Sequence, residues 1–335
     1  MRPFDANQLE VSLIKEENAL RHQISKSMKL IWSYLKSYLR WFILGGTLFF
    51  LGKATKDHWQ EVAAIRIDIA GWGWLAIALC VTLLAHTWAG WVWGWILWGL
   101  NQPVKSRWAI QIYLQTNIAK YLPGNVWHYY SRVGAVTATG ASWGTASLSI
   151  LLEPLLMAAA ALIVTLVGLQ QSRIYSQFSW HWQLLSLIAV LLAIHPRILN
   201  PVIQLFSRLK RQANSSNPVP VETLHIKQYP LVPLLGELGF LGLRGTGFLF
   251  TLLAFTSITT SQIPLLLGAF SFSWLLGLVV PGAPGGLGVF EATAIALLNQ
   301  NFSPGLMLST VTLYRLISIL AEAIGAGLAW LDTNL

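Results

Sequence analysis

Glu153, Glu237, Arg244, Arg315 and Glu322 fall inside long apolar runs of this 335-residue chain. A charge in a membrane-depth helix is costly, so it turns to a partner, a protein interior or a wet cavity. Glu237 and Arg244 are seven residues apart, as are Arg315 and Glu322. Seven residues is nearly two helical turns, so each pair shares a face, but the rise of about 10 Å is too long for direct pairing. Partners on other helices are expected. The chemistry open to such charges is the handling of an anionic headgroup. The alternative is a structural ion pair that fixes helix packing, a reading that weighs most on Glu237 and Glu322.

Two proline–glycine breaks interrupt apolar sequence: Pro123-Gly124-Asn125, and Pro281-Gly282-Ala283-Pro284-Gly285-Gly286-Leu287-Gly288. Proline removes a donor and glycine lets the chain turn. An unpaired amide in hydrocarbon costs several kcal/mol, so these segments must face protein or water. An apolar loop is the plainer reading of each. The sharper reading is a pair of half-helices whose ends point at a polar cavity, where a positive N-terminus suits a phosphate.

The two breaks are alike in their downstream charges. Arg132 comes after the first and Glu291 after the second, and a charge lies inside each next helix. Glu153 lies 30 residues beyond Pro123, and Arg315 lies 31 beyond Pro284. Broken segments at corresponding positions of two halves point to a midplane transport site built from repeats. For Glu153 and Arg315 this spacing favours a functional role. His128, beside Tyr129 and Tyr130, and His86 are read first as hydrogen-bonded structural residues. Trp88, Trp91, Trp95 and Trp98 recur at helical spacing as packing or interface residues. Gly236, Gly239, Gly242 and Gly245 form a small-residue ridge for helix approach.

The elements that must position these residues are set by composition. The chain is 55% hydrophobic and 10% charged, against about 25% charged in a soluble domain. That excludes a soluble enzyme, a disordered chain and a disulfide scaffold, the last also because there is one cysteine, Cys80. The expected fold is an all-α polytopic membrane protein. About seven spans are expected, at roughly 38–51, 72–100, 148–169, 182–199, 231–255, 263–280 and 306–331. Two re-entrant segments, 109–134 and 281–300, are added to them, with an internal repeat as a further expectation.

The organisation reads as a cytoplasmic amphipathic arm, 1–37, without a signal peptide, then a first membrane half, 38–199. A polar basic cytoplasmic linker, 200–228, leads to a second half, 229–335. The net charge of +9 lies between the apolar runs, where topology and anionic lipids use it. No nucleic-acid partner is expected. The basic arm, Lys105 with Arg107, and 197–228 are all cytoplasmic if 109–134 enters and leaves on one side.

There is no Walker loop and no His-Glu-x-x-His motif. The only aspartates are Asp5, Asp57, Asp68 and Asp332, with no acidic cluster for a metal–nucleotide-sugar site. No cofactor and no metal are expected.

The segment Asn117-Ile118-Ala119-Lys120-Tyr121-Leu122-Pro123-Gly124-Asn125-Val126-Trp127-His128, with Arg132, resembles the first signature of the lysylphosphatidylglycerol synthase transmembrane-region family. Pro284-Gly285-Gly286-Leu287-Gly288-Val289-Phe290-Glu291-Ala292 looks like its second signature, with Arg315 matching the arginine that comes after it. The resemblance covers roughly residues 35–331. It implies a helical bundle with re-entrant segments that moves phospholipid or polyprenyl-linked lipid between leaflets. Many members carry Gly-Gly-Asp after the first proline, where this chain has Gly124-Asn125-Val126. No aminoacyl-transferase domain follows Leu331, so lysyl transfer is not expected.

The resulting expectation is a multi-pass protein of the bacterial inner membrane, N-terminus cytoplasmic, that translocates an anionic or polyprenyl-linked lipid. Arg132, Arg315 and the half-helix ends meet the phosphate, while Glu153 and Glu291 shape the cavity. Lys120, Pro123, Gly124, Asn125, His128, Pro284, Gly285, Gly286 and Gly288 complete the expected binding set. The alternatives are a glycosyltransferase using a polyprenyl phosphate sugar and an accessory subunit of envelope assembly. Membrane lipids are the expected partners, with envelope-assembly enzymes and a second copy of the chain as further candidates.

Overall fold

The structure is a computed structural model that describes residues 56, 60, 66–121, 126–169, 180–201, 226, 228–280, 286 and 288–334. The arm 1–37, the expected span at 38–51, nearly all of both proline–glycine breaks and most of the linker lie outside the described residues. Among those described, all regular structure is helical.

The first helix, α1, runs Ile69–Gly99, with Asp68 capping it by accepting the Gly71 N–H at 2.6 Å. Two shorter helices come next, α2 (Ser106–Asn117), which passes into a 3-10 turn at Ile118–Tyr121, and α3 (Trp127–Ala138). Helix α4 (Trp143–Gly168) starts on the hydroxyl of Ser142, which accepts the Thr145 N–H at 3.1 Å. Helix α5 (Trp180–Ile194) packs on α4. Then come α6 (Leu231–Leu253), α7 (Ile263–Val279), the short α8 (Val289–Leu298) and α9 (Pro304–Asn334).

Four stretches among the described residues are long and apolar enough to cross a membrane: Ile69–Gly99, Trp143–Gly168, Thr260–Val279 and Pro304–Asp332. This is an α-helical membrane protein. Helix α6 has the length, but its five glycines with Glu237 and Arg244 dilute its apolar character.

Helices α1 and α6 lie antiparallel along their whole length. Trp88 donates its indole N–H to the Gly236 carbonyl at 2.8 Å, and Trp74 stacks on Phe250 at 5.5 Å. Gly71 meets the Ala254 carbonyl at the far end. Around this central pair, α2 lies antiparallel to α9, tied by Arg107 and Gln111 to Asp332 and by Gln115 to the Ala329 carbonyl. Helix α4 meets α7 end to start, where Gly168 sits against the Pro264 carbonyl and Gly268. Exchange α1 with α6, α2 with α7, α3 with α8 and α4 with α9, and the α1–α6 pair maps onto itself while each other main packing pair among these eight helices maps onto a second one.

The packed interior is aromatic on both sides of the exchange. Trp93, fully buried, stacks on Trp108 at 6.0 Å. Phe270 meets Phe248, Phe290 and Tyr314 at 5.6, 5.6 and 5.7 Å. Large buried rings of this kind hold the short helices against the long ones.

Candidate functional site

The four short or interrupted segments meet the long helices around a cavity of about 230 Å3. One wall comes from α2, its 3-10 turn and α3, with Tyr113, Asn117, Lys120, His128, Tyr129 and Arg132. The opposite wall comes from α7, Gly286 and α8, with Trp274, Gly277, Leu278 and Phe290. The long helices close it with His86 of α1, Glu153, Pro154 and Met157 of α4, Phe240 and Arg244 of α6, and Tyr314, Arg315 and Ser318 of α9. Pro154 follows Glu153 directly and withholds the N–H that the Ile150 carbonyl would otherwise accept, which loosens α4 at the cavity.

Two ion pairs flank the cavity. Arg132 donates through Nη1 to both oxygens of Glu153, at 3.1 and 2.8 Å. Its Nε reaches Thr116 Oγ1 at 3.2 Å, and its guanidinium lies 3.7 Å from the Tyr113 ring centre. Arg315 donates through Nε to Glu291 Oε1 at 2.8 Å, with its guanidinium 5.6 Å from the Phe290 ring centre. In each pair one member sits on the short helix after a break and the other on the next long helix. The signs are exchanged: arginine then glutamate in the first, glutamate then arginine in the second.

Glu291 has a second task. Its Oε2 accepts the Gly288 N–H at 2.6 Å and so caps α8 with the chain's own carboxylate. Gly288 and Gly286 both hold positive φ, 83° and 72°, a conformation that glycine adopts without penalty. A Cβ on Gly286 would lie 3.0 Å from the Gly277 Cα, so this turn packs backbone to backbone against α7.

A third cluster joins the two sets of helices. Lys120 donates to Glu322 Oε1 at 2.6 Å, and His86 Nε2 lies 3.2 Å from the same oxygen. Arg244 Nη1 stands 3.2 Å from His86 Nε2 and donates to Ser318 Oγ at 2.6 Å. The Tyr314 hydroxyl donates to the Arg244 carbonyl at 2.9 Å. Among the described residues, Arg244 Nε meets no acceptor and neither oxygen of Glu237 meets a donor.

Lys120, His128, Arg132, Glu153, Gly286 and Arg315, all expected from the sequence, line this one cavity. Glu291 and Gly288 stand behind the wall as the anchor of Arg315 and the cap of α8. Pro123, Gly124, Asn125, Pro284 and Gly285 lie outside the described residues. Glu153 and Arg315 bond to the charge downstream of their own break and not to each other. Sequence reasoning misses Tyr113, Asn117, Tyr314 and Ser318, and it leaves His86 as a lone structural histidine. A signal exists for part of this: Tyr314, Ser318 and Glu322 recur every four residues, a polar stripe along one face of α9. No three His, Cys, Asp or Glu side chains among the described residues are placed to share a metal ion.

Compared with known proteins, the chain matches no family model and no curated protein sequence.

Proposed function

We propose that this protein moves an anionic phospholipid or a polyprenyl-linked lipid between the leaflets of a bacterial inner membrane, seating the lipid phosphate in the central cavity. One observation carries the reading. Lys120, Arg132, Arg244 and Arg315 converge on a cavity surrounded by helices of membrane-spanning character. Three of them are bonded to carboxylates and Arg244 bonds Ser318 beside His86, yet all four line one cavity, and ionisable residues gathered around a cavity in a membrane bundle mark a substrate path. Guanidinium groups suit the task, since their planar donors match phosphate oxygens.

The helix directions support a re-entrant reading of both broken segments. Helix α2 starts beside the end of α9, at Arg107 and Asp332, and α4 ends beside the start of α7, at Gly168 and Pro264. With α1 antiparallel to α6, the segments α2–α3 and α7–α8 then enter from opposite faces and each returns to its own. The repeat is inverted, a design that places substrate at the interface of its halves. On this reading α7, expected as a span, becomes half of the second re-entrant segment, so the spans are α1, α4, α5, α6 and α9 with the expected segment 38–51, which lies outside the described residues: six in place of seven, with the N-terminus cytoplasmic. The likeness to the lysylphosphatidylglycerol synthase transmembrane-region family points the same way.

The test is reconstitution of purified protein into liposomes carrying a fluorescent anionic lipid, with dithionite quenching of the outer leaflet as the readout. Faster exchange than in protein-free vesicles, without nucleotide, is the expected result. Rates equal to protein-free vesicles for anionic and polyprenyl-linked lipids would favour an accessory subunit. Sugar transfer from a polyprenyl donor would favour an enzyme.

A further inference from the structure

Among the described residues, Glu237 is the one buried carboxylate of the helix bundle that the site has not used. It lies on α6, fully buried, and neither of its oxygens meets a hydrogen-bond donor there. It stands one turn from Phe240 and two from Arg244, both of which line the cavity. Its surroundings offer little to stabilise a charge. Helix α1 presents Val92 and Trp95 at the neighbouring Gly236, and α7 carries no ionisable residue at all. The charges that act on it are Glu153 of α4 and Arg132 of α3, already bonded to each other, and Tyr113 of α2 also feels it. The charges of α9, Arg315 and Glu322, are engaged with Glu291 and with Lys120 and His86.

The charge count then has a consequence. Around the cavity stand four cations, Lys120, Arg132, Arg244 and Arg315, and three carboxylates bonded to basic groups, Glu153, Glu291 and Glu322. With both histidines neutral, the site carries one positive charge if Glu237 holds a proton and none if it does not. A region of low dielectric penalises net charge. Burial without a donor favours the protonated carboxyl, while the excess positive charge of the empty site favours the ionised one; a phosphodiester monoanion removes that excess and so raises the affinity of Glu237 for a proton.

We propose that Glu237 is a proton-binding site that couples lipid movement to the proton gradient, taking up one proton for each phosphate anion the cavity admits. This rests on the lipid-translocation reading above. The proton binds to a Glu237 oxygen as the anion arrives among the cations and leaves when the anion does, so proton and lipid travel together without net charge transfer.

The test uses full-length protein in phosphatidylcholine vesicles containing fluorescent phosphatidylglycerol, with pyranine trapped inside. For the wild type, an imposed pH gradient should change the lipid rate several-fold and pyranine should report proton flux that tracks the lipid. In Glu237→Gln the ratio of rates with and without the gradient should fall to one, and Glu237→Asp should restore it. Wild-type lipid movement indifferent to the gradient would overturn the coupling and leave the translocation reading standing. Absence of any lipid movement would overturn translocation. Proton uptake on adding phosphatidylglycerol to the protein in phosphatidylcholine nanodiscs then decides the site on its own: uptake lost in Glu237→Gln upholds it, and no uptake by the wild type overturns it. Should Glu237→Gln fail to fold, the wild-type gradient response and Glu237→Asp carry the test.

Discussion

Arg132 grips Glu153 through a single guanidinium nitrogen, at 2.8 and 3.1 Å from the two carboxylate oxygens, with 2% and 4% of the side chains exposed. Removing one member of such a pair strands the other charge, at a cost of roughly 3–5 kcal/mol. Arg132→Gln and Glu153→Gln should each lower the Tm in detergent sharply, and the double variant should recover much of the loss. Lipid movement measured beside Tm separates the roles. A rescued double that still transports at the wild-type rate would make the pair purely structural.

The turn before α8 gives a second prediction. Gly286→Ala forces a Cβ onto a residue at φ 72° and against the Gly277 Cα, a strain of about 1–3 kcal/mol. Gly277→Ala meets the same contact from the other side, at 3.3 Å and with no strained φ, so it should cost less. Thermal melts of the two variants check this. The reverse order would mean that the turn does not pack against α7 in this way.

Helix direction can be read by labelling. In a Cys80→Ala background, cysteines at Lys105 and Ser142 should react from the same face of the membrane. Cysteines at Thr260 and Asn301 should react together from the other. Opposite faces within either couple would remove the re-entrant reading for that half.

Burial separates two salt bridges of the same pair of helices. Arg107 and Asp332 are 71% and 42% exposed, whereas Glu322, bonded to Lys120, is 1% exposed. Exposed pairs contribute little and are screened by salt. Arg107→Gln should leave Tm unchanged at moderate ionic strength. Lys120→Gln should lower it clearly, because Glu322 then keeps only a histidine beside it. A Tm loss from Arg107→Gln as large as that from Lys120→Gln would show that the α2–α9 contact is held at its outer end.

The long helices were legible in the sequence because each is a run of apolar residues near the length a bilayer needs, and the structure places their ends within a few residues of expectation. The buried charges were legible as charges. Their partners were not, since Arg132 with Glu153 or Lys120 with Glu322 depends on which helices become neighbours. The glycine ridge of α6 shows the same limit. A spacing of three slides about 60° around a helix at each step. Gly236 and Gly239 therefore meet Val92 and Trp88 of α1, Gly242 meets nothing within 4 Å, and Gly245 meets Leu267 of α7.

The placement of the ion pairs bears on how the chain is made. Arg132–Glu153 closes within the first half and Glu291–Arg315 within the second, so each half emerges from the ribosome with these charges already matched. The first can enter the bilayer and wait for the second without leaving either Arg132 or Glu153 bare in lipid. Contacts that cross between the halves, among them Lys120 with Glu322, Arg244 with His86 and Trp88 with the Gly236 carbonyl, can form only once the second half has been synthesised. Two fragments divided in the linker, co-expressed as separate chains, should therefore find each other in the membrane and reform the cavity.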